Sequence, residues 1–122
     1  MISAIVFSKD RALQLDLTLN SIKRNFKQVS EVCVIFHTSE QHSHSYEILT
    51  KEFPDVQFIQ QRTQDTGGLF GDIDNIIDNS DQEYICFLTD DNIAYTPVVF
   101  SLSALDGLFQ NPFACLSLRL GS

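Results

Sequence analysis

Two adjacent carboxylates follow an apolar run late in the chain, and they are the residues best suited to chemistry. Tyr84 to Leu88 is rich in aromatic and β-branched residues, which predicts a strand buried on both faces. Thr89-Asp90-Asp91-Asn92 ends that run. Neighbouring carboxylates repel each other and resist desolvation, so we expect them where water or a cation reaches them. The carboxyl end of a strand is also where open α/β sheets bind ligands, so Asp90 and Asp91 are candidate ligands of a divalent cation.

The rest of the chain alternates strand-like runs with segments of helical periodicity. Strands are predicted over 2–7, 31–36, 56–59, 84–88 and 113–120. Helices are predicted from Ser8 or Asp10 to about residue 26, from Ser43 or Ser45 to 53, over 72–79 and over 98–109. Strands that alternate with helices require crossover connections. The pattern therefore predicts a Rossmann-like α/β fold: a mostly parallel sheet of about five strands with helices on both faces.

The first helix has the clearest apolar stripe. Four of its apolar residues recur at helical spacing, and we expect them to face the sheet: Leu15, Leu19, Ile22 and Phe26. Leu13 and Leu17 are predicted to widen this stripe. The second helix carries Tyr46, Ile48, Leu49 and Phe53. A glycine-containing loop over 63–71 is predicted before the short third helix, whose early aspartates suit the positive end of a helix.

Length and charge narrow the class of protein. The chain has 122 residues, which suits one domain, and its net charge of −8 argues against binding to nucleic acid or to anionic membranes. No Lys or Arg occurs between residues 63 and 118. The chain starts directly with a short strand-like run, so neither a signal peptide nor a membrane span is expected, and we expect a cytoplasmic protein.

Each of the three cysteines lies inside an apolar run, without the spacing of a metal or redox motif: Cys33, Cys86 and Cys115. We expect buried, reduced thiols that act as small apolar residues.

The motif from Thr89 to Asn92, with its preceding strand and the following Pro97, resembles the metal-binding Asp-x-Asp-type motif of family 2 nucleotide-sugar glycosyltransferases with the GT-A fold. The opening residues Ser3 to Arg11 and the leucine-rich helix after them are similar to the first strand and helix of that family. The resemblance implies that residues 1–122 form a single GT-A-like nucleotide-sugar-binding domain. It implies that this domain is truncated or minimal, because acceptor sites and catalytic bases of such enzymes lie beyond the first half of the fold.

The resemblance also implies the metal and its ligands. Asp91 would bind Mn²⁺ or Mg²⁺, and Asp90 would hydrogen-bond the ribose or support the metal. Hard divalent cations prefer carboxylate and phosphate oxygens, and such an ion neutralises the leaving diphosphate of a nucleotide sugar. The alternative is a turn rich in Asp and Asn that leads into a helix beginning at Thr96-Pro97.

The same resemblance implies a donor-binding set for a nucleotide diphosphate sugar, with a UDP-sugar favoured. In it, Lys9 or Arg11 meets a phosphate or a base edge. The alternative for both residues is an exposed helix start with local charge pairs. The family usually has an acidic residue after its second strand, where this chain has His37-Thr38-Ser39, so the nucleotide stays open. The complete donor-binding set is Phe7, Ser8, Lys9, Arg11, Thr38 and Asp90.

These observations leave two kinds of function. The first is the donor-binding part of a glycosyltransferase, an enzyme whose sugar, acceptor, catalytic base and oligomeric state stay unknown. The second is a non-enzymatic, flavodoxin-like signalling or interaction domain, which the length fits. Joint binding of a divalent cation and a nucleotide diphosphate distinguishes them.

Overall fold

A computed structural model describes residues 2–61, 68–82 and 84–90 of the chain. In this part of the chain, four strands alternate with three helices. The strands are β1 (Ile2–Lys9), β2 (Val29–His37), β3 (Gln57–Gln60) and β4 (Tyr84–Thr89). The helices are α1 (Ala12–Asn25), α2 (Ser43–Glu52) and α3 (Gly68–Asn79). The predicted helix over 98–109 and the predicted fifth strand over 113–120 lie outside the described residues.

The described strands form one parallel sheet in the order β3-β2-β1-β4. Parallel pairing confirms the predicted α/β fold, since each strand must be followed by a crossover before the next one. The register pairs Lys9 with His37 and Phe7 with Thr89. The carboxyl ends of β1, β2 and β4 therefore lie side by side, and we call this region the carboxyl end of the sheet.

Helices α1 and α2 cover one face of the sheet. Leu15, Leu19 and Ile22 of α1 are almost fully buried, in one cluster with Val6 of β1 and Val34 of β2. Burial of each such Leu or Ile side chain contributes roughly 1.5–3 kcal/mol. The predicted stripe is therefore confirmed at these positions.

The predicted apolar stripe of α1 included two residues that do not face the sheet. Leu13 and Leu17 are 72% and 52% exposed. They lie about half a helical turn from Leu15, so they point away from the sheet when Leu15 points toward it. Ile48 of α2 is exposed for the same reason, while Tyr46 and Leu49 are buried.

Helix α3 lies against the opposite face. Residues with odd numbers in β1 and β2, such as Ser3 and Cys33, line a cavity together with Asn75 and Ile76 of α3. Side chains alternate between the two faces of a strand, so these residues point away from α1 and α2. The prediction of helices on both faces is confirmed.

Strand β4 differs from its prediction as a strand buried on both faces. It pairs with β1, it ends the described sheet, and Phe87 is 54% exposed. Tyr84, Cys86 and Leu88 pack against the α1/α2 core, but Phe87 points to the other face. An unbroken apolar run therefore did not indicate two buried faces here.

The predicted helix starts were also wrong in detail. The cap position of α1 is Arg11 and that of α2 is His42, and neither makes a side-chain capping hydrogen bond. Helix α3 begins at Gly68, inside the predicted loop, so Asp72 falls in its second turn and is buried rather than placed at the positive end. Among the described helices, none has the length and apolar character required to cross a membrane.

Candidate functional site

The carboxyl end of the sheet brings together residues that are far apart in sequence. Ser8 and Lys9 end β1, and Asp90 follows β4 directly. Because β1 and β4 are parallel neighbours, their ends meet, and the first carboxylate of the predicted metal motif lies beside the predicted nucleotide-binding residues.

Asp90 is buried, with a relative exposure of 5%, and its carboxylate is held by the end of β1. The Ser8 hydroxyl donates a hydrogen bond to Oδ2 over 3.0 Å, and the Lys9 backbone N–H donates to the same oxygen over 3.4 Å. The Arg11 guanidinium lies 3.7 Å from Oδ1. A buried carboxylate has lost its hydration, and the Ser8 and Lys9 donors replace part of it.

The backbone of Asp90 is fixed as well. Thr18, fully buried on α1, donates its hydroxyl to the Asp90 carbonyl oxygen over 2.7 Å. Helix α1 thus holds the main chain at the point where β4 ends, while β1 holds the side chain. We call Ser8, Arg11, Thr18, Tyr46 and Asp90 the Asp90 cluster.

Tyr46, like Thr18, is a member of this cluster that the sequence did not indicate as a site residue. Its hydroxyl lies 2.7 Å from Ser8 Oγ and accepts a hydrogen bond from the Arg11 backbone N–H over 3.0 Å. The helical periodicity of α2 predicted a core position for Tyr46, which its 1% exposure confirms. Periodicity indicates the buried face but not the partner of a hydroxyl group; the only available signal was that a buried Tyr usually finds a polar partner.

Asp10 shapes the turn between β1 and α1. Its φ of 52° lies in the left-handed region, which Asp and Asn tolerate better than most residues with a side chain. Its backbone N–H donates to the His37 carbonyl oxygen, and its Oδ1 accepts the Ser39 backbone N–H over 2.7 Å. That hydrogen bond from Ser39 is the main reason that the pKa of Asp10 is lowered. Asp10 therefore ties the ends of β1 and β2 together instead of capping α1.

Among the residues that the structure describes, Lys9 and Arg11 carry accessible cationic side chains at this end of the sheet. Lys9 is exposed, and the Arg11 side chain is 56% exposed although it pairs with Asp90. The 3.7 Å separation is longer than the 2.7–2.9 Å that is typical of a charge-assisted hydrogen bond. Both side chains can therefore reach an anionic ligand without disrupting the core.

Two members of the predicted donor-binding set lie apart from Asp90. Phe7 points to the opposite face of the sheet from Ser8, and its ring stacks on that of Phe87 with centroids 6.1 Å apart. The Thr38 hydroxyl donates to the Ser39 carbonyl oxygen over 3.0 Å, so Thr38 belongs to the Asp10 turn. The structure brings together Ser8, Lys9, Arg11 and Asp90 from that set.

The residues beside Asp90 are compatible with a hard cation, as far as they are described. Asp90 supplies carboxylate oxygens, which hard divalent cations prefer. Among the described residues, Ser8 and Lys9 donate to Oδ2, and the Arg11 guanidinium lies 3.7 Å from Oδ1. Asp91, the principal predicted ligand, lies outside the described residues. Within the described ranges, no three His, Cys, Asp or Glu side chains form a metal cluster. Mg²⁺ is commonly held by one or two protein carboxylates together with substrate phosphates, so a site of this kind does not require such a cluster.

The described cysteines are free thiols, and Cys33 is the more deeply buried. The pKa of Cys33 is raised to about 11, mainly by burial and also by the nearby carboxylates of Asp72 and Glu31. Burial also raises the pKa of Cys86, which is half-buried. The prediction of a buried, reduced thiol is confirmed for Cys33, and Cys115 lies outside the described residues.

A cavity of about 290 Å³ lies at the other end of the sheet, between α3 and the face that carries Cys33. Glu31 and Asp55 contribute carboxylates to its wall, and the described lining residues include no Lys, Arg or His. A diphosphate requires positive charge or converging N–H donors, so this cavity is a poor place for a nucleotide. The Asp90 cluster is the better candidate site, because Lys9 and Arg11 supply positive charge beside it.

The sequence was also compared with known proteins. A scan against models of protein families matches none of them, and a search of curated proteins finds no match. Support for a function therefore comes from the residues and geometry of the carboxyl end of the sheet, together with the resemblance of the sequence motifs.

Proposed function

We propose that this chain is the donor-binding domain of a GT-A-type glycosyltransferase, and that it binds a nucleotide diphosphate sugar together with Mn²⁺ or Mg²⁺. The supporting observation is the contact between Asp90 and the end of β1. The sequence resemblance assigns both segments to the donor site, and Ser8 Oγ and Asp90 Oδ2 are 3.0 Å apart.

The proposed binding mode assigns complementary charges to the nucleotide. Lys9 and Arg11 are the cations that meet the diphosphate, because both are accessible beside Asp90. Asp90 and Asp91 supply the carboxylates for the cation, and a bound divalent cation would neutralise charge on the leaving diphosphate. The net charge of −8 disfavours large polyanions such as nucleic acid. A nucleotide diphosphate is small enough to be bound locally by Lys9 and Arg11.

In the proposed reaction, the bond between the sugar C1 and the diphosphate oxygen breaks, and the nucleoside diphosphate leaves with the electron pair. A hydroxyl oxygen of the acceptor forms the new bond to C1 and gives its proton to a base. Asp90 lies beside Ser8, Lys9 and Arg11 of the donor site, so we assign it to donor binding, and we assign the base to none of the residues of this chain. The proposal for this chain therefore concerns the donor site.

Thermal unfolding tests this proposal directly. Melting is measured with Mn²⁺ alone, with UDP alone and with both, for the wild-type chain, for Asp91→Ala and for Asp78→Ala as a control on the exposed side of α3. A ligand at a hundredfold over its dissociation constant adds about 2.7 kcal/mol of stability. We expect a shift that requires both ligands, that is lost in Asp91→Ala and that is retained in Asp78→Ala.

The absence of any thermal shift would contradict the proposed donor site. If UDP, GDP and dTDP give no shift with either metal, the chain lacks a donor site. The flavodoxin-like interaction domain is then the better description, since such a domain has no reason to couple a metal to a nucleotide.

A further inference from the structure

We propose that Tyr46 is a positioning residue of the donor site, which acts through Ser8 on the carboxylate of Asp90. This inference rests on the proposed function. Tyr46 lies on α2, which belongs to neither of the sequence motifs at the carboxyl end of the sheet. Its hydroxyl nevertheless contacts Ser8 and Arg11 of the first motif, and Ser8 in turn donates to Asp90 of the second.

The direction of the hydrogen bonds follows from counting hydrogens. Ser8 has one hydroxyl hydrogen, and it is donated to Asp90 Oδ2 over 3.0 Å. The contact of 2.7 Å between Ser8 Oγ and Tyr46 Oη must then use the Tyr46 hydrogen. Tyr46 Oη in turn accepts the Arg11 backbone N–H over 3.0 Å. The result is one polarised chain from Arg11 N–H through Tyr46 and Ser8 to the carboxylate.

The Tyr46 ring is held so firmly that its hydroxyl has a defined position. The side chain is 1% exposed, and its ring stacks on Phe36 with centroids 4.7 Å apart and planes 12° apart. A Phe would fill the same apolar space without the cost of burying a hydroxyl group. Both hydrogen bonds of that hydroxyl go to the β1–α1 corner, so its role is to set that corner.

Loss of the Tyr46 hydroxyl would affect Ser8, Arg11 and Asp90 together. Without the Tyr46 hydroxyl, Ser8 Oγ loses its donor and the Arg11 backbone N–H loses its acceptor. Ser8 can then rotate away from Asp90, and the segment that carries Lys9 and Arg11 loses its link to α2. Members of a hydrogen-bond chain polarise one another, so removal of the Tyr46 hydroxyl also weakens the hydrogen bond from Ser8 to the Asp90 carboxylate.

The test compares Tyr46→Phe with Thr50→Val. Thr50 lies one turn further along α2, and its hydroxyl donates to the Tyr46 carbonyl oxygen, outside the chain of hydrogen bonds. Two quantities are measured: the ¹³C signal of the Asp90 side-chain carboxyl without ligand, and the affinity for UDP in the presence of Mn²⁺. We expect Tyr46→Phe to move the carboxyl signal and to weaken UDP binding about tenfold, which corresponds to about 1.4 kcal/mol. Thr50→Val should change neither quantity.

The outcomes separate the two proposals. If the wild-type chain binds UDP with Mn²⁺ and Tyr46→Phe binds it equally well, the role of Tyr46 is wrong and the proposed function stands. If the wild-type chain shows no joint binding, the proposed function fails, and the donor-site role of Tyr46 fails with it. Should Tyr46→Phe not fold, Ser8→Ala breaks the same chain at the next link, and an unchanged Asp90 carboxyl signal in that variant would overturn the inference.

Discussion

The hydroxyl of Ser8 donates a hydrogen bond to Oδ2 of Asp90 over 3.0 Å and so joins two segments that lie 82 residues apart in the chain. Both residues are buried. Ser8 lies at the end of β1, and Asp90 directly follows β4, which is the parallel neighbour of β1. This hydrogen bond explains how an Asp at the end of an apolar strand tolerates burial. It also places the two sequence motifs of the proposed donor site in direct contact.

Replacement of Ser8 by Ala should lower the free energy of unfolding by about 1–3 kcal/mol, because a buried carboxylate and a buried tyrosine hydroxyl each lose a partner. Urea denaturation measures the change. Ser45→Ala is the matched control, since Ser45 is exposed on α2 and should change stability by less than about 0.5 kcal/mol. Equal effects of the two substitutions would show that the Ser8 hydrogen bonds make no net contribution to the free energy of unfolding.

The lowered pKa of Asp10 predicts a pH-dependent contribution to stability. The unfolded chain has the ordinary carboxyl pKa, near 3.8, and the folded chain has a lower one, because the Ser39 N–H stabilises the charged form. The unfolded state therefore binds more protons in acid, and the stabilising contribution is fully present above pH 3.8 and lost as pH falls through the folded pKa.

Asp10→Asn separates this charge effect from the geometry of the turn. Asn can accept the Ser39 N–H and tolerates a positive φ, but it does not titrate. Stability measured from pH 2 to pH 6 should therefore favour the wild-type chain above pH 3.8, with the difference shrinking at lower pH. A difference that is constant across this range would show that the Asp10 charge is not stabilised by the turn.

Cys33 should react very slowly with thiol reagents in the folded chain. With a pKa of about 11, only about one thiol in a thousand is ionised at pH 8, and the side chain is also buried. Labelling with iodoacetamide, followed by peptide mass spectrometry, should modify Cys33 fully only after unfolding in urea. Fast labelling of Cys33 without denaturant would contradict the described packing of β2.

Arg11→Gln should weaken UDP binding in the presence of Mn²⁺ about tenfold while it changes stability by less than about 1 kcal/mol. The pair between Arg11 and Asp90 is partly exposed and is worth little to stability, whereas a diphosphate would be a bidentate partner for the guanidinium. Calorimetric titration measures the affinity, and urea denaturation measures the stability.

Arg24→Gln is the control for Arg11, because it makes the same change of charge at the other end of α1, where Arg24 is exposed. It should leave UDP affinity within about twofold of the wild-type value, since exposed charges further apart than about 10 Å are largely screened. If both substitutions weaken binding equally, the effect reflects net charge and not a contact at the site.

The sheet and the core of α1 could be predicted from the sequence because they follow from local periodicity. Leu15, Leu19 and Ile22 recur at the spacing of one helical face, and the structure buries all three. Leu13 and Phe87 show where this reasoning fails. An apolar side chain can be buried, but its presence does not show that it is. Its burial depends on how the helices and neighbouring strands are arranged.

The candidate site could be predicted in part for a similar reason. The resemblance to GT-A enzymes associated Ser8 with Asp90, in agreement with the rule that ligands bind at the carboxyl ends of parallel strands. Tyr46 was missed as a site residue because its hydroxyl acts at a distance of 38 residues from Ser8, through a contact that no local pattern encodes. Asp10 was predicted as a possible cap of α1, but the Ser39 N–H across the turn is the better donor for its carboxylate.

The location of the bound metal is the most direct test of the proposed donor site. Paramagnetic Mn²⁺ broadens the NMR signals of nearby amides, and it would be added to the ¹⁵N-labelled chain in the presence of UDP. We expect broadening of the Lys9, Arg11 and Asp90 amides, while the amides of Ser3 and Glu31, roughly 20 Å away along the strands, stay sharp. Broadening of Ser3 and Glu31 with sharp signals at Lys9 and Asp90 would place the cation at the acidic cavity and would contradict the account.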